Sequence, residues 1–139
     1  MPLERRQLTA HFNLAEFHCR DGTEVPESHE ESLVRFCRYV LEPMRARYGA
    51  AKVHSGFRTA KHNHVVGGAQ GSYHVYTVHL PTEVAADVSF ATGTPWRWSI
   101  YAAYLIRRRY RRNGGIGLYS RGGWVHLDVR HGSSRWLGP

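Results

Sequence analysis

Two stretches of helical periodicity and four short runs of strand character, the last two joined by a glycine-rich turn, predict a chain of mixed helix and strand. At 139 residues it is long enough to bury one real core and too short for two, so a single domain over residues 1–139 is expected. Hydrophobic content of 42% against 22% charged residues excludes a disordered chain. No internal repeat of solenoid length is visible.

The opening "MPLERRQLTAHFNL" lacks the apolar core of a signal peptide, and no apolar run approaches the ~18 residues that span a bilayer, so a soluble chain is expected. Next, "PESHEESLVRFCRYVLEPMRARYGA" predicts a helix from about Ser28 to Tyr48, with Ser28 as N-cap and Glu31 closing a capping box. Leu33, Phe36, Cys37, Val40, Leu41 and Met44 fall at helical spacing and form its buried face, and Pro43 is a candidate kink. Cys37 then belongs to the core; Cys19, in the loop "EFHCRDGTEVP", is left free or paired with it. Two distant cysteines without a CxxC pair suggest neither zinc ribbon nor redox motif.

The strands are "AKVHSGF", "EVAADVSF", "GIGLYS" and "GWVHLDVR", with "RGG" between the last two as a hairpin turn. Before the third strand, "TGTPWRWSIYAAYLIRRRYRRNGG" predicts a helix capped by Thr94, with Pro95 in its first position and Gly114 or Gly115 ending it. Its tail carries Arg107, Arg108, Arg109, Arg111 and Arg112, cations that offset the negative end of the helix dipole. The chain as a whole has 19 basic and 11 acidic residues, 17 of the basic ones arginine. A surface with a formal charge of +8 attracts polyanions, whether nucleic acid, anionic cell-wall polymers or an acidic partner.

Alternation in the final strand puts Trp124, His126, Asp128 and Arg130 on one face and Val125, Leu127 and Val129 on the other, one chemical and one core. In "VAADVSF" the same alternation sets Asp87 between Ala85 and Ser89, among small neighbours. His74, Asp87 and His126 therefore meet the specification of a catalytic zinc set: three protein ligands on separate segments, the fourth position left to water. With ten histidines in the chain, spacing by itself also permits accidental triples.

The segments "VHSGFRTAKHNHVVGGAQGSYH", "AADV" and "GGIGLYSRGGWVHLDVR", preceded by "HFNLAEFHCRDGTEVP", resemble in order the signatures of the M15 zinc peptidases, from about His11 to Arg130. These are D-Ala-D-Ala carboxypeptidases and peptidoglycan endopeptidases that share a fold with the hedgehog signalling domain. The resemblance implies an α+β domain with helices packed on a small antiparallel sheet, a bound Zn2+, and peptidoglycan stem peptides as substrate. It implies His74, Asp87 and His126 as zinc ligands, Arg58 as the group that holds a substrate carboxylate, and Ser72 as a substrate contact or a turn former. A guanidinium fork suits a carboxylate.

Two departures stand out. The link from His74 to Asp87, "VYTVHLPTEVA", is longer than the family's, and it introduces His79 as a rival ligand. Many relatives carry an acid at the position that is Gly123 here, so Asp128, on the same strand face as His126, becomes the candidate general base, or else a carboxylate that orients a histidine. The expectation is a zinc peptidase of phage or bacterial type acting at the cell wall, in a virion or after release at lysis, with anionic wall polymers or virion proteins as further partners and nucleic acid a lesser rival. The alternative class is a non-catalytic zinc-containing domain for wall binding or virion structure.

Overall fold

In the computed structural model, which describes residues 6–139, the first helical stretch becomes a continuous rod in three pieces. These are α1 (Glu30–Phe36), a π-helical turn (Cys37–Leu41) and α2 (Glu42–Tyr48). Leu33, Phe36, Cys37, Val40, Leu41 and Met44 are all fully buried, as their spacing requires. Pro43 sits in the first turn of α2 and leaves the Tyr39 carbonyl without its usual donor four residues on. The preceding turn widens instead, and the Glu42 N–H reaches the Cys37 carbonyl five residues back.

The start of the rod differs from the sequence expectation. Ser28 caps nothing: it lies in a 3-10 turn (Glu27–His29), and its Oγ hydrogen-bonds the His29 ring at 2.9 Å. Tertiary contacts override the capping box, because that ring also bonds the Leu80 carbonyl at 3.1 Å and stacks on Tyr76. The leading residues 1–5 of the segment read for a signal peptide lie outside the described residues.

A five-stranded sheet runs in the order β3 (Ala51–Ser55), β4 (Ala85–Phe90), β6 (Trp124–Asp128), β5 (Gly114–Tyr119), β7 (Ser133–Leu137). The first four strands are antiparallel and β7 is parallel to β5. The fold is α+β, with an added edge strand that the sequence did not announce: "SSRWL" exposes alternate residues and has no apolar run. Also unannounced are the short hairpin of β1 (Gln7–Thr9) and β2 (Phe12–Asn13), and α3 (Ala60–Val65), too short to show a period.

Helix α4 (Pro95–Tyr110) packs on β5 and β6. Thr94 caps it, its side chain accepting the Arg97 N–H, and Pro95 opens it. It ends earlier than predicted, at Tyr110, because Arg111 takes a left-handed conformation (φ 56°) that turns the chain toward β5. Ala102 and Ile106 of α4, Val125 and Leu127 of β6, and Val88 of β4 join the rod in one core, each at 1% exposure or less. Burying each larger aliphatic side chain contributes on the order of 1.5–3 kcal/mol, and this core anchors the strands whose other face carries the polar residues.

Candidate metal centre

The antiparallel register of β4 and β6 sets Asp87 directly opposite His126, and the register of β3 and β4 sets Ser55 opposite Asp87. Gly56 follows β3. It lacks a side chain where the backbone of Phe17 passes, and a Cβ there would lie 2.8 Å from the Phe17 Cα. The Gly56 carbonyl is then free to face inward, 2.7 Å from His74 Nδ1. His74 arrives from a turn in which the Ser72 hydroxyl accepts its backbone N–H at 3.2 Å. All three side chains are buried.

His74 Nε2, Asp87 Oδ1 and His126 Nδ1 form a triangle with every edge 3.1 Å. Their partners settle the tautomers. A carbonyl accepts only, so His74 Nδ1 donates to Gly56 and its Nε2 is bare. Asp128 Oδ2 lies 2.7 Å from His126 Nε2, which donates to it and leaves Nδ1 bare. With His126 neutral, three lone pairs converge on one point, and a cation there would be held by all three. A tetrahedral zinc with bonds of about 2.0–2.1 Å holds its N and O ligands roughly 3.3 Å apart, so donor set, spacing and burial all fit such an ion.

Burial pushes the His74 imidazole below its ordinary pKa, against the pull of Asp87. Burial opposes ionisation of Asp87 too, but the two histidines hold its carboxyl well below the carboxylate range. On His126, burial is outweighed by the hydrogen bonds to Asp128 and Asp87, which raise its pKa.

Asp128 does not face the triangle. It is fully buried behind His126, with Oδ1 accepting from Gly115 N and from Arg130 N and Nε, and Oδ2 from His126 and Arg130 Nη2. The reading as general base is corrected on this geometry: with both oxygens engaged and no surface, the carboxylate orients His126. Gly123, where an acid was missed, has φ 76° in the turn between β5 and β6, a left-handed position that disfavours any side chain.

Arg58 borders the triangle. Its Nε donates to Ser55 Oγ (3.0 Å), Nη1 to Asn63 Oδ1 (3.1 Å) and Nη2 to Asp87 Oδ2 (3.3 Å), which fixes the guanidinium plane and leaves two N–H groups over. His79 stands apart from the triangle: its ring stacks on Tyr73 at 3.9 Å, and its Nε2 bonds the Gly71 and Ser72 carbonyls. The cleft above has a volume of about 750 Å³, within the range of ligand sites. Its walls include Trp124 and Arg130, from the strand face read as chemical, and Tyr73, Tyr119 and Trp136, which the sequence reading did not assign to the site. Arg130 lies 4.1 Å over the Tyr73 ring, and the Trp136 indole donates to the Tyr119 hydroxyl at 2.8 Å. Trp136 sits on β7 and carried no sequence signal; Gly117 makes room for it, since a Cβ there would overlap its ring.

The α+β sheet thus presents His74, Asp87 and His126 at the floor of an open cleft as a candidate metal centre. The family model described as Peptidase M15 matches residues 10–128, and the chain belongs to that family of peptidases. No curated protein and no solved structure matches it.

Proposed function

We propose that this protein is a zinc-dependent peptidase that hydrolyses peptidoglycan stem peptides. The observation that carries the reading is the 3.1 Å triangle of bare donor atoms from His74, Asp87 and His126 at the floor of the cleft, beside a fixed guanidinium. A zinc ion bound there supplies Lewis-acid polarisation of a peptide carbonyl and an acidified water. The protein's own residues do the rest. Gly56 and Asp128 hold the two imidazoles in the tautomers that turn a lone pair inward. Arg58 offers its two remaining N–H groups to a substrate carboxylate, and Ser72 holds the turn that presents His74. Terminal cleavage and cleavage within a cross-link use the same groups.

The test is metal analysis of the purified protein coupled to digestion of muropeptides. One zinc per His–Asp–His set and release of peptide fragments are expected; His126→Ala is expected to lose both. Retention of that zinc and of full activity by His126→Ala would overturn the assignment.

A second reading is favoured by one observation. Besides Asp87, the described residues that line the cleft include no acidic side chain, and Asp128 is sealed behind His126. A domain that keeps the metal and binds wall peptides without cutting them accounts for this. Metal content with tight muropeptide binding and no fragments would establish it.

A further inference from the structure

Away from the cleft, a second group of metal-ligating side chains converges on the loop that precedes α1. The turn from Cys19 to Thr23 is closed by Cys19 N–H to Thr23 O (2.9 Å) and Gly22 N–H to Cys19 O (3.0 Å). This puts the thiol and the Asp21 carboxylate, two residues apart, on the same side. Thr59, the residue that caps α3, grips both: its Oγ1 donates to Asp21 Oδ2 at 2.8 Å and its backbone N–H to Cys19 Sγ at 3.5 Å. One turn on, the half-exposed His62 adds an imidazole with no hydrogen bond to its ring among the described residues. One ligand atom from each of Cys19, Asp21 and His62 lies within 4.8 Å of the others.

We propose that Cys19, Asp21 and His62 form a second zinc site that ties the 19–23 loop to the first turn of α3. The chemistry favours a borderline-soft divalent ion: a thiolate, a carboxylate and an imidazole with the fourth position left to water suit zinc and not calcium or magnesium. Zinc bonds of about 2.0–2.3 Å call for ligand separations of roughly 3.3–3.8 Å. The closure is met by rotation of the His62 imidazole, whose ring no hydrogen bond fixes among the described residues. Each Asp21 oxygen keeps a lone pair beyond its bonds to Thr59 and Thr23. The tie reaches the cleft through α3, since Asn63, the next residue, holds the Arg58 guanidinium.

The site differs from the His–Asp–His centre in containing sulfur, and that difference provides a test independent of catalysis. Purified protein is loaded with cobalt(II) and its near-ultraviolet spectrum is recorded, because a thiolate ligand gives a charge-transfer band that nitrogen and oxygen donors do not. Wild type is expected to bind two cobalt ions and show the band. His126→Ala is expected to bind one and keep the band; Cys37→Ser is expected to keep it as well. Cys19→Ser should lose the band together with one ion, and His62→Gln, on a half-exposed position where folding is safe, should weaken cobalt binding at least tenfold. A wild-type spectrum without the band, or a band that survives Cys19→Ser and disappears in Cys37→Ser, would overturn the proposal and leave the reading of the cleft untouched.

Discussion

Asp128 shows how far a single residue can be read. Strand alternation put it on the face of His126, which is where it lies, yet alternation says nothing of what stands between a carboxylate and the solvent. Five hydrogen bonds from Gly115, His126 and Arg130 surround it. Burial would raise its pKa, but the bonds from Arg130 and His126 dominate and hold it well below the carboxylate range. Asp128→Asn removes the anion that keeps His126 Nε2 protonated and Nδ1 bare. Carboxylates behind metal-binding histidines are worth about 10–100-fold in metal affinity, so a loss of that size is expected in a competition titration with a zinc chelator. A base in direct attack would instead leave affinity unchanged and lower kcat alone. His74, after a glycine-rich run, and Asp87, among small strand residues, stood out in the sequence; the Gly56 carbonyl beside His74 Nδ1 did not, since a backbone oxygen has no sequence signature.

At the scale of elements, the long link between His74 and Asp87 is a pinned loop. Tyr76 is fully buried, its hydroxyl donating to the Ala85 carbonyl at 2.6 Å. Leu80 and Pro81 present carbonyls to His29, just before the helical rod, and to Ser32 within it. Glu83, at the end of the loop, accepts from Leu80 N and from His131 N and Nδ1, joining the loop to the segment that leads into β7. Burial would raise the Glu83 pKa, but the bonds from His131 and Leu80 prevail and lower it. A carboxyl whose folded pKa is depressed contributes stability that is complete above its unfolded value, about 4.3, and is lost as pH falls through the folded value. Glu83→Gln is therefore expected to melt lower than wild type at pH 7, with the gap closing as pH drops below about 4. Thermal melts of both proteins across that range check it; a gap that stays constant with pH would contradict the ion-pair account. The strand β7 that this contact orients was invisible beforehand because an edge strand half in water needs no apolar alternation.

For the molecule as a whole, charge is segregated. No acidic residue occurs between Asp87 and Asp128 or after Asp128, while that stretch carries Arg97, Arg107, Arg108, Arg109, Arg111, Arg112, Arg121, Arg130 and Arg135. On the helical side the guanidiniums lie over tyrosine rings, Arg47 above Tyr101 at 4.7 Å and Arg109 above Tyr39 at 5.0 Å. We propose that the arginine-rich end of α4 forms a face that holds anionic wall polymers while the cleft works on peptides. Binding to purified cell walls is expected to weaken steeply with salt. Arg107→Gln combined with Arg108→Gln is expected to lower it several-fold at low ionic strength, with stability changed by less than about 0.5 kcal/mol, as for exposed positions generally. Salt-independent binding in a sedimentation assay would refute the role of the face. Among the described residues no helix is long and apolar enough to cross a membrane. Helical periodicity and strand alternation by themselves determined the buried face of the rod, the cap of α4 and the division of β6 into core and polar faces, because these depend on neighbours a few residues away. Tertiary structure alone decided that three ligand atoms meet at 3.1 Å, that Asp128 stands behind His126 and that Trp136 lines the cleft. Those facts rest on sheet register and on contacts between distant segments, and a local pattern carries no information about which strand will lie beside it.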